Sequence, residues 1–145
     1  MATRTARTAW NGNLAEGSGQ VELTTSGLGT FDVSWGKRTA EGAPGGTSPE
    51  ELIAAAHSSC FAMQLSALLA EAGGTPVALH VTADVDFAPD PAGGWRIPRI
   101  RLTLHGEVEG LDKDVFLATA EKAKETCPVS KALTGTTITL DAALD

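Results

Sequence analysis

The sequence predicts an α+β domain in which antiparallel sheets pack on a long central helix and on a second, bent helix. Segments of period-2 alternation predict strands, and two segments carry the start and stop signals of helices. Along the chain the order is three short strands, a helix, two strands, a helix and a strand. The length of 145 residues, with 42% hydrophobic residues, suits one folded domain, which we expect to span residues 1–145.

The first third of the chain is predicted to form a small antiparallel meander. Short β-type segments lie at Arg4–Trp10, Gln20–Thr25 and Thr30–Trp35. The dipeptides Asn11-Gly12 and Ser26-Gly27 separate them, and such dipeptides are typical of turns.

The central helix has unusually clear boundaries. Ser48 is placed as the N-cap, Pro49 as the first helical residue and Glu51 as the partner in a capping box. Gly73 and Gly74 give the stop signal, so the helix is predicted over Pro49–Ala72. Its apolar residues spread around most of the circumference, which indicates burial on several sides. Polar residues interrupt the apolar run, which favours a core helix over a membrane span.

The second half of the chain continues the α+β pattern. Alternating residues predict a hairpin from Leu79–Phe87 and Ile100–Val108, with one buried and one solvated face. Residues 112–126 form the second predicted helix, and Pro128 requires a break or bend at its end. The β-branched run Thr136–Leu140 predicts a final strand.

The composition narrows the classes of function. A formal charge of −7 disfavours electrostatic binding to nucleic acid or to anionic membranes. The first residues contain no apolar leader segment, so we expect a cytoplasmic protein. In that reducing compartment, two cysteines are more often thiols than a structural disulfide.

Cys60 and Cys127 are the candidates for chemistry. Cys60 lies in the middle of the central helix, where burial alone would raise the pKa of the thiol and make it inert. A reactive Cys60 therefore needs a nearby cation. Cys127 ends the second helix, immediately before proline, and a sulfenic acid on one cysteine could condense with the other. The spacing alone does not establish contact, and each cysteine also fits a plain core position. Without a C-x-x-C or H-x-x-x-H cluster, no metal is expected.

Two segments resemble the signatures of the OsmC/Ohr family, the osmotically inducible and organic-hydroperoxide-resistance proteins. They are TSPEELIAAAHSSCFAMQLS at Thr47–Ser66 and CPVSKAL at Cys127–Leu133. The spacing from AWNG at Ala9–Gly12 to SWGKR at Ser34–Arg38 is also similar to the OsmC branch. The resemblance covers nearly the whole chain.

This resemblance implies an intertwined homodimer and a thiol-dependent peroxidase without a bound cofactor. Carried over residue by residue, it implies that Cys60 is the peroxidatic cysteine and Cys127 the resolving one. Arg38 matches the active-site arginine of the OsmC branch, and Glu50 matches the active-site carboxylate. A guanidinium favours the thiolate, and a carboxylate can hold the guanidinium through two hydrogen bonds.

Two further expectations concern branch and geometry. In the Ohr branch the arginine comes earlier in the chain, where Arg4 and Arg7 lack a fitting context, so the OsmC branch is favoured. Glu50 and Cys60 lie ten residues apart on one helix, roughly 15 Å of rise and about 80° off a common face. Either the helix is broken between them or Glu50 serves the Cys60 of the other subunit, and we expect the second arrangement. His57, one turn before Cys60, could act as a base, but a structural or packing role is expected.

Three functions remain open at this point. The first is a two-cysteine peroxidase that reduces organic hydroperoxides to alcohols, with hydrogen peroxide as a second substrate. It would use a Cys60 sulfenate, a Cys60–Cys127 disulfide and a dithiol reductant, and would act in oxidative or osmotic stress defence. The second is a non-enzymatic redox sensor or small-molecule binding stress protein that uses the same thiols. The third is a structural stress protein whose cysteines are core residues.

Overall fold

The computed structural model describes residues 1–41 and 45–145. The strands are β1 (Arg7–Asn11), β2 (Ser18–Glu22), β3 (Thr30–Val33), β4 (Thr75–Val85), β5 (Ala88–Pro89), β6 (Trp95–Arg96), β7 (Arg99–Glu109) and β8 (Thr137–Leu144). The helices are α1 (Trp35–Thr39), α2 (Pro49–Glu71), α3 (Lys113–Thr126) and α4 (Pro128–Ala132). The chain divides into two compact units, residues 1–52 and 53–145. The predicted α+β class is confirmed.

The first unit contains the predicted antiparallel meander, in the order β1–β2–β3. Trp10 pairs with Gly19, and Val21 pairs with Phe31. The third strand is shorter than the predicted segment, because Trp35 begins α1 instead. The reason is a local N-cap: the Ser34 side chain accepts a hydrogen bond from the Lys37 backbone N–H at 3.2 Å. A five-residue helix is too short to give a periodic signal in the sequence.

The meander is largely exposed in the single chain. Among the described residues of the first unit, Val21 is the one buried apolar side chain, at 7% exposure. The rings of Trp10 and Phe31 are each 40% exposed. A three-stranded sheet needs a covered apolar face for stability, and the exposed face of this sheet therefore requires a further surface to pack against.

The second unit is built on a sheet in the order β4–β7–β8. β4 and β7 are antiparallel, with Val81 opposite Leu104, as the predicted hairpin requires. β8 differs from the expected antiparallel arrangement, since it runs parallel to β7 with Ile100 opposite Ile138. The reason is that α3 and α4 lie between these two strands in the chain. They form a helical crossover, after which the chain enters β8 in the same direction as β7.

The core of the second unit lies between β7 and the helices. It is made of these buried residues: Phe61, Leu65, Leu68 and Leu69 of α2, Ile100, Leu102 and Leu104 of β7, Phe116, Ala120 and Ala123 of α3, and Cys127. The β7 residues alternate with more exposed neighbours, as predicted for a strand with one buried face.

Helix α2 follows its predicted boundaries within one residue. Gly73, at φ +91°, ends it, and the Gly74 N–H donates to the Leu69 carbonyl oxygen at 2.9 Å. In the single chain α2 is buried along one stripe rather than on several sides, and the Met63 side chain is 72% exposed. Of the helices described, α2 is the one long and apolar enough to cross a membrane by length and composition. Its buried stripe in the core fits the predicted core helix.

The predicted break at Pro128 is also confirmed. α3 ends at Thr126, Pro128 is the first residue of α4, and Cys127 lies between them with an extended backbone (φ −57°, ψ 128°). The Cys127 N–H still donates to the Ala123 carbonyl oxygen at 2.9 Å, so the residue is anchored to α3 at the corner.

Candidate active site

The two cysteines meet inside the second unit. The Cys127 thiol donates a hydrogen bond to the Cys60 sulfur, and the two Sγ atoms are 2.9 Å apart. Both are free thiols; Cys127 is fully buried and Cys60 is partly exposed. A disulfide has an S–S length of about 2.05 Å, so the sulfurs need to approach by roughly 0.9 Å to form one.

Two further side-chain pairs lie on either side of the thiols. His57 Nε2 and Ser130 Oγ are 2.7 Å apart, and both residues are buried. Gln64 Nε2 donates to Thr126 Oγ1 at 2.9 Å. Sequence reasoning missed Ser130, Gln64 and Thr126, since an uncharged polar residue gives no signal of its own. For His57, whose expected role is structural or packing, the structure adds a specific polar partner in Ser130.

The surroundings of Cys60 oppose ionisation in the single chain. Burial is the largest cause and raises the pKa of the thiol, and the hydrogen bond and charge of Cys127 raise it further. A hydrogen bond with the Val129 backbone lowers the pKa of Cys60 in part. Burial also lowers the pKa of His57, which favours a neutral imidazole. Thiolate formation at Cys60 therefore requires an additional positively charged group near the sulfur.

Arg38 and Glu50 form a bidentate ion pair in the first unit. Arg38 Nε donates to Glu50 Oε1 at 2.9 Å, and Arg38 Nη2 donates to Glu50 Oε2 at 3.0 Å. The Glu50 side chain is 8% exposed and that of Arg38 is 32% exposed. The carboxylate thus holds the guanidinium plane through two parallel charge-assisted bonds.

The backbone around β3 brings this pair together. α1, which carries Arg38, begins directly after β3 at its Ser34 cap. The Thr47 N–H then donates to the Asp32 carbonyl oxygen of β3 at 2.8 Å, which returns the chain to the start of α1. Glu50 follows in the first turn of α2.

The predicted capping box of α2 is half formed. The Ser48 side chain accepts a hydrogen bond from the Glu51 N–H at 3.1 Å, as an N-cap does. The Glu51 carboxylate accepts from the Thr47 hydroxyl at 2.5 Å rather than from the Ser48 backbone. Glu51 is exposed, whereas the adjacent Glu50 is buried. Two neighbouring carboxylates therefore have separate roles, one at the cap and one on Arg38.

The structure thus contains two of the predicted contacts, Cys60 with Cys127 and Arg38 with Glu50. α2 is one continuous helix from Pro49 to Glu71, so the alternative of a broken helix between Glu50 and Cys60 is not observed. Ten residues of α-helix still separate the two, about 15 Å along the axis. Within residues 1–41 and 45–145, no group of three His, Cys, Asp or Glu side chains is placed to hold a metal ion.

The residues considered for the Ohr branch lie elsewhere. Arg7 is on β1 and donates to Glu22 Oε2 at 3.1 Å, with 75% of its side chain exposed. Arg4 precedes β1 and donates to the Thr3 carbonyl oxygen. Neither residue belongs to the Arg38–Glu50 pair.

Comparison with known proteins identifies the family. A family model described as "OsmC-like protein" matches residues 41–141, which is more than half of the chain. The chain belongs to the OsmC family. It is 42% identical over 132 residues to the peroxiredoxin OsmC of Escherichia coli strain K12, with 91% of this chain and 90% of that protein covered.

Two organic hydroperoxide resistance proteins are also similar to this chain. The organic hydroperoxide resistance protein OhrA of Bacillus subtilis is 36% identical over 90 residues, 61% of each chain. The crystal structure of OhrB of Bacillus subtilis superposes with a TM-score of 0.71 at 28% identity and covers 96% of this chain and 98% of that one. The identity with the OsmC protein is higher than with either Ohr protein, and its coverage is wider than that with OhrA, which supports assignment to the OsmC branch.

Proposed function

We propose that this protein is a two-cysteine peroxidase that reduces organic hydroperoxides to alcohols, with hydrogen peroxide as a second substrate. The observation that carries the proposal is the 2.9 Å contact between the sulfurs of Cys60 and Cys127. The relatives support a peroxidase-type function in hydroperoxide stress, since one is named a peroxiredoxin and another an organic hydroperoxide resistance protein. We place the activity in the cytoplasm, where reduced dithiols are available.

The first half-reaction takes place at Cys60. Its thiolate attacks the distal oxygen of the hydroperoxide, so an S–O bond forms as the O–O bond breaks. The alkoxide leaves and takes up a proton to become the alcohol, and Cys60 becomes a sulfenic acid. Cys60 suits this role better than Cys127 because it is partly exposed, whereas Cys127 is fully buried.

The second half-reaction closes the disulfide. The Cys127 sulfur attacks the Cys60 sulfenic acid, an S–S bond forms and the S–O bond breaks. The Cys127 thiol proton joins the departing hydroxide as water. A dithiol reductant then opens the disulfide by exchange, which returns both thiols and leaves the reductant oxidised.

Activation of Cys60 is the role proposed for Arg38 and Glu50. Burial raises the pKa of Cys60, and a guanidinium near the sulfur offsets this by favouring the anion. Because about 15 Å of unbroken helix separates Glu50 from Cys60, we assign the activating pair to the partner subunit of a homodimer. The exposed meander and the uncovered side of α2, including Met63, supply apolar surface for such an interface.

The two-step mechanism is tested with Cys60→Ser and Cys127→Ser. Cys60→Ser should abolish hydroperoxide consumption. Cys127→Ser should consume about one equivalent to form the Cys60 sulfenic acid, and then about one more as that sulfenic acid is oxidised to the sulfinic acid. The measurements are cumene hydroperoxide loss with and without a dithiol, and intact mass. If the wild type consumes peroxide stoichiometrically but never turns over with any dithiol, a redox sensor is favoured instead; no thiol loss at all favours a structural protein.

Subunit sharing is tested by mixing an inactive chain with an impaired one. Cys60→Ser keeps Arg38 and Glu50, while Glu50→Ala keeps both cysteines. Heterodimers formed after unfolding and refolding together should recover one complete site and hence up to half of the activity per dimer. Mixing without subunit exchange is the control. Activity no higher than that of either parent in verified heterodimers would refute the assignment to two subunits.

A further inference from the structure

The thiol pair is the middle member of a row of three side-chain contacts. His57, Cys60 and Gln64 are spaced by three and four residues on α2, so they lie on one helix face. Opposite them, in reverse chain order, lie Ser130, Cys127 and Thr126 at the corner between α3 and α4. We call the His57–Ser130 and Gln64–Thr126 hydrogen bonds the flanking pairs.

The His57–Ser130 pair is costly to bury. The exposure of His57 is 0% and that of Ser130 is 6%. His57 Nδ1 has no hydrogen-bond partner within the described part of the chain. A buried polar atom without a partner destabilises a protein, and an apolar side chain of similar size would avoid this. Packing alone therefore does not explain a histidine at this position.

The corner that carries Cys127 needs support from side chains. α4 has five residues and begins with a proline, which has no N–H to donate. Backbone hydrogen bonds hold Cys127 to both helices around it: its N–H donates to the Ala123 carbonyl oxygen at 2.9 Å, and its carbonyl oxygen accepts from the Lys131 N–H at 3.0 Å. Neither of these bonds joins the corner to α2. The flanking pairs join the corner to α2 on both sides of Cys127, because Thr126 directly precedes it and Ser130 lies one turn beyond it.

We propose that His57 and Gln64, acting through Ser130 and Thr126, are positioning residues that hold the Cys127 sulfur against Cys60 for disulfide closure. This rests on the proposed function for its role in turnover. A Cys60 sulfenic acid has two fates: the Cys127 thiol displaces its hydroxyl as water, or a second hydroperoxide molecule oxidises it to the sulfinic acid and leaves as alcohol. The flanking pairs favour the first fate by keeping the attacking sulfur in reach.

The first test is the equilibrium of the Cys60–Cys127 disulfide in dithiothreitol redox buffers, which does not depend on peroxidase activity. Ser130→Ala and Thr126→Val each remove one flanking pair and should lower the disulfide formation constant by about threefold to tenfold, or about 15 to 30 mV for a two-electron couple. Thr119→Val is the matched control, since the Thr119 hydroxyl bonds only to its own helix, at Val115, at 2.7 Å.

The second test measures the partition of the sulfenic acid. During turnover with cumene hydroperoxide, Ser130→Ala and Thr126→Val should form several times more Cys60 sulfinic acid per catalytic cycle than the wild type. This ratio does not depend on the rate of the first attack. Ser130→Thr and His57→Gln retain hydrogen-bonding groups at these positions, so they should restore both readouts.

The outcomes separate the two proposals. Wild-type disulfide stability and sulfinic acid yield in Ser130→Ala and Thr126→Val would overturn the positioning role and leave the peroxidase proposal intact. If the wild type never turns over hydroperoxide, the peroxidase proposal fails and the equilibrium still tests the flanking pairs. A merely structural role would lower the melting temperature of both redox forms equally and leave the equilibrium unchanged. If Ser130→Ala does not fold, His57→Leu, which removes the same His57–Ser130 pair with an apolar side chain, takes its place in both tests.

Discussion

Replacement of Glu50 by glutamine is the sharpest test of the Arg38–Glu50 pair. The amide side chain would keep the size of the carboxylate and one acceptor oxygen, but it would remove the charge and one of the two hydrogen bonds to Arg38, at 2.9 and 3.0 Å. Hydrogen bonds to charged groups contribute about 1.5 to 3 kcal/mol each. Because the Arg38 side chain is 32% exposed, solvent screens part of the interaction. We expect the free energy of unfolding to fall by about 1 to 2 kcal/mol.

The effect on activity follows from the same contact. If Glu50 orients the guanidinium that stabilises the Cys60 thiolate, loss of about 1.4 to 2.7 kcal/mol of that stabilisation slows the attack by roughly tenfold to a hundredfold. The second-order rate constant is measured by stopped-flow consumption of cumene hydroperoxide under pseudo-first-order conditions. Urea unfolding of the same preparations gives the change in stability.

Glu51→Gln is the matched control for this variant. It makes the same charge change at the adjacent position, but Glu51 is exposed and accepts a hydrogen bond from Thr47 rather than from Arg38. The control should stay close to the wild type in both measurements. If Glu50→Gln slows the attack no more than Glu51→Gln does, Glu50 does not organise Arg38 for catalysis, and the proposed role of the pair is refuted.

Three further predictions concern stability. Burial lowers the pKa of His57, so the unfolded chain takes up the imidazole proton at a higher pH than the folded chain does. The free energy of unfolding should therefore fall as the pH drops through about 6.5. Urea unfolding at several pH values should show a smaller fall in His57→Gln. Asp112 caps α3 by accepting from the Val115 N–H at 2.9 Å, so Asp112→Ala should cost about 1 kcal/mol in urea unfolding, and no change would exclude the cap. A Cβ at Gly106 would lie 2.8 Å from two ring atoms of Phe116, so Gly106→Ala should cost about 1 to 3 kcal/mol, and Phe116→Leu should relieve part of this in the double variant.

Local signals in the sequence determined the secondary structure near the site. The Ser48 cap and Gly73 set the ends of α2, and Pro128 sets the corner at Cys127. Each of these signals acts through the backbone of a few neighbouring residues, so it can be recognised in the sequence without knowledge of the fold. The alternation along β7 was readable for the same reason, because side chains point to opposite faces in turn. The pairing of Arg38 with Glu50 was expected from the family resemblance together with the forked geometry of a guanidinium.

The tertiary structure decided which residues meet. Cys60 and Cys127 are 67 residues apart in the sequence. Their sulfurs lie 2.9 Å apart because α2 and α3 pack in one core. The parallel pairing of β8 and the His57–Ser130 bond, which spans 73 residues, have the same origin. Cys60 and Cys127 were readable from the sequence as chemically capable thiols. Only packing, which depends on the whole core, brought them into contact and shifted the pKa of Cys60.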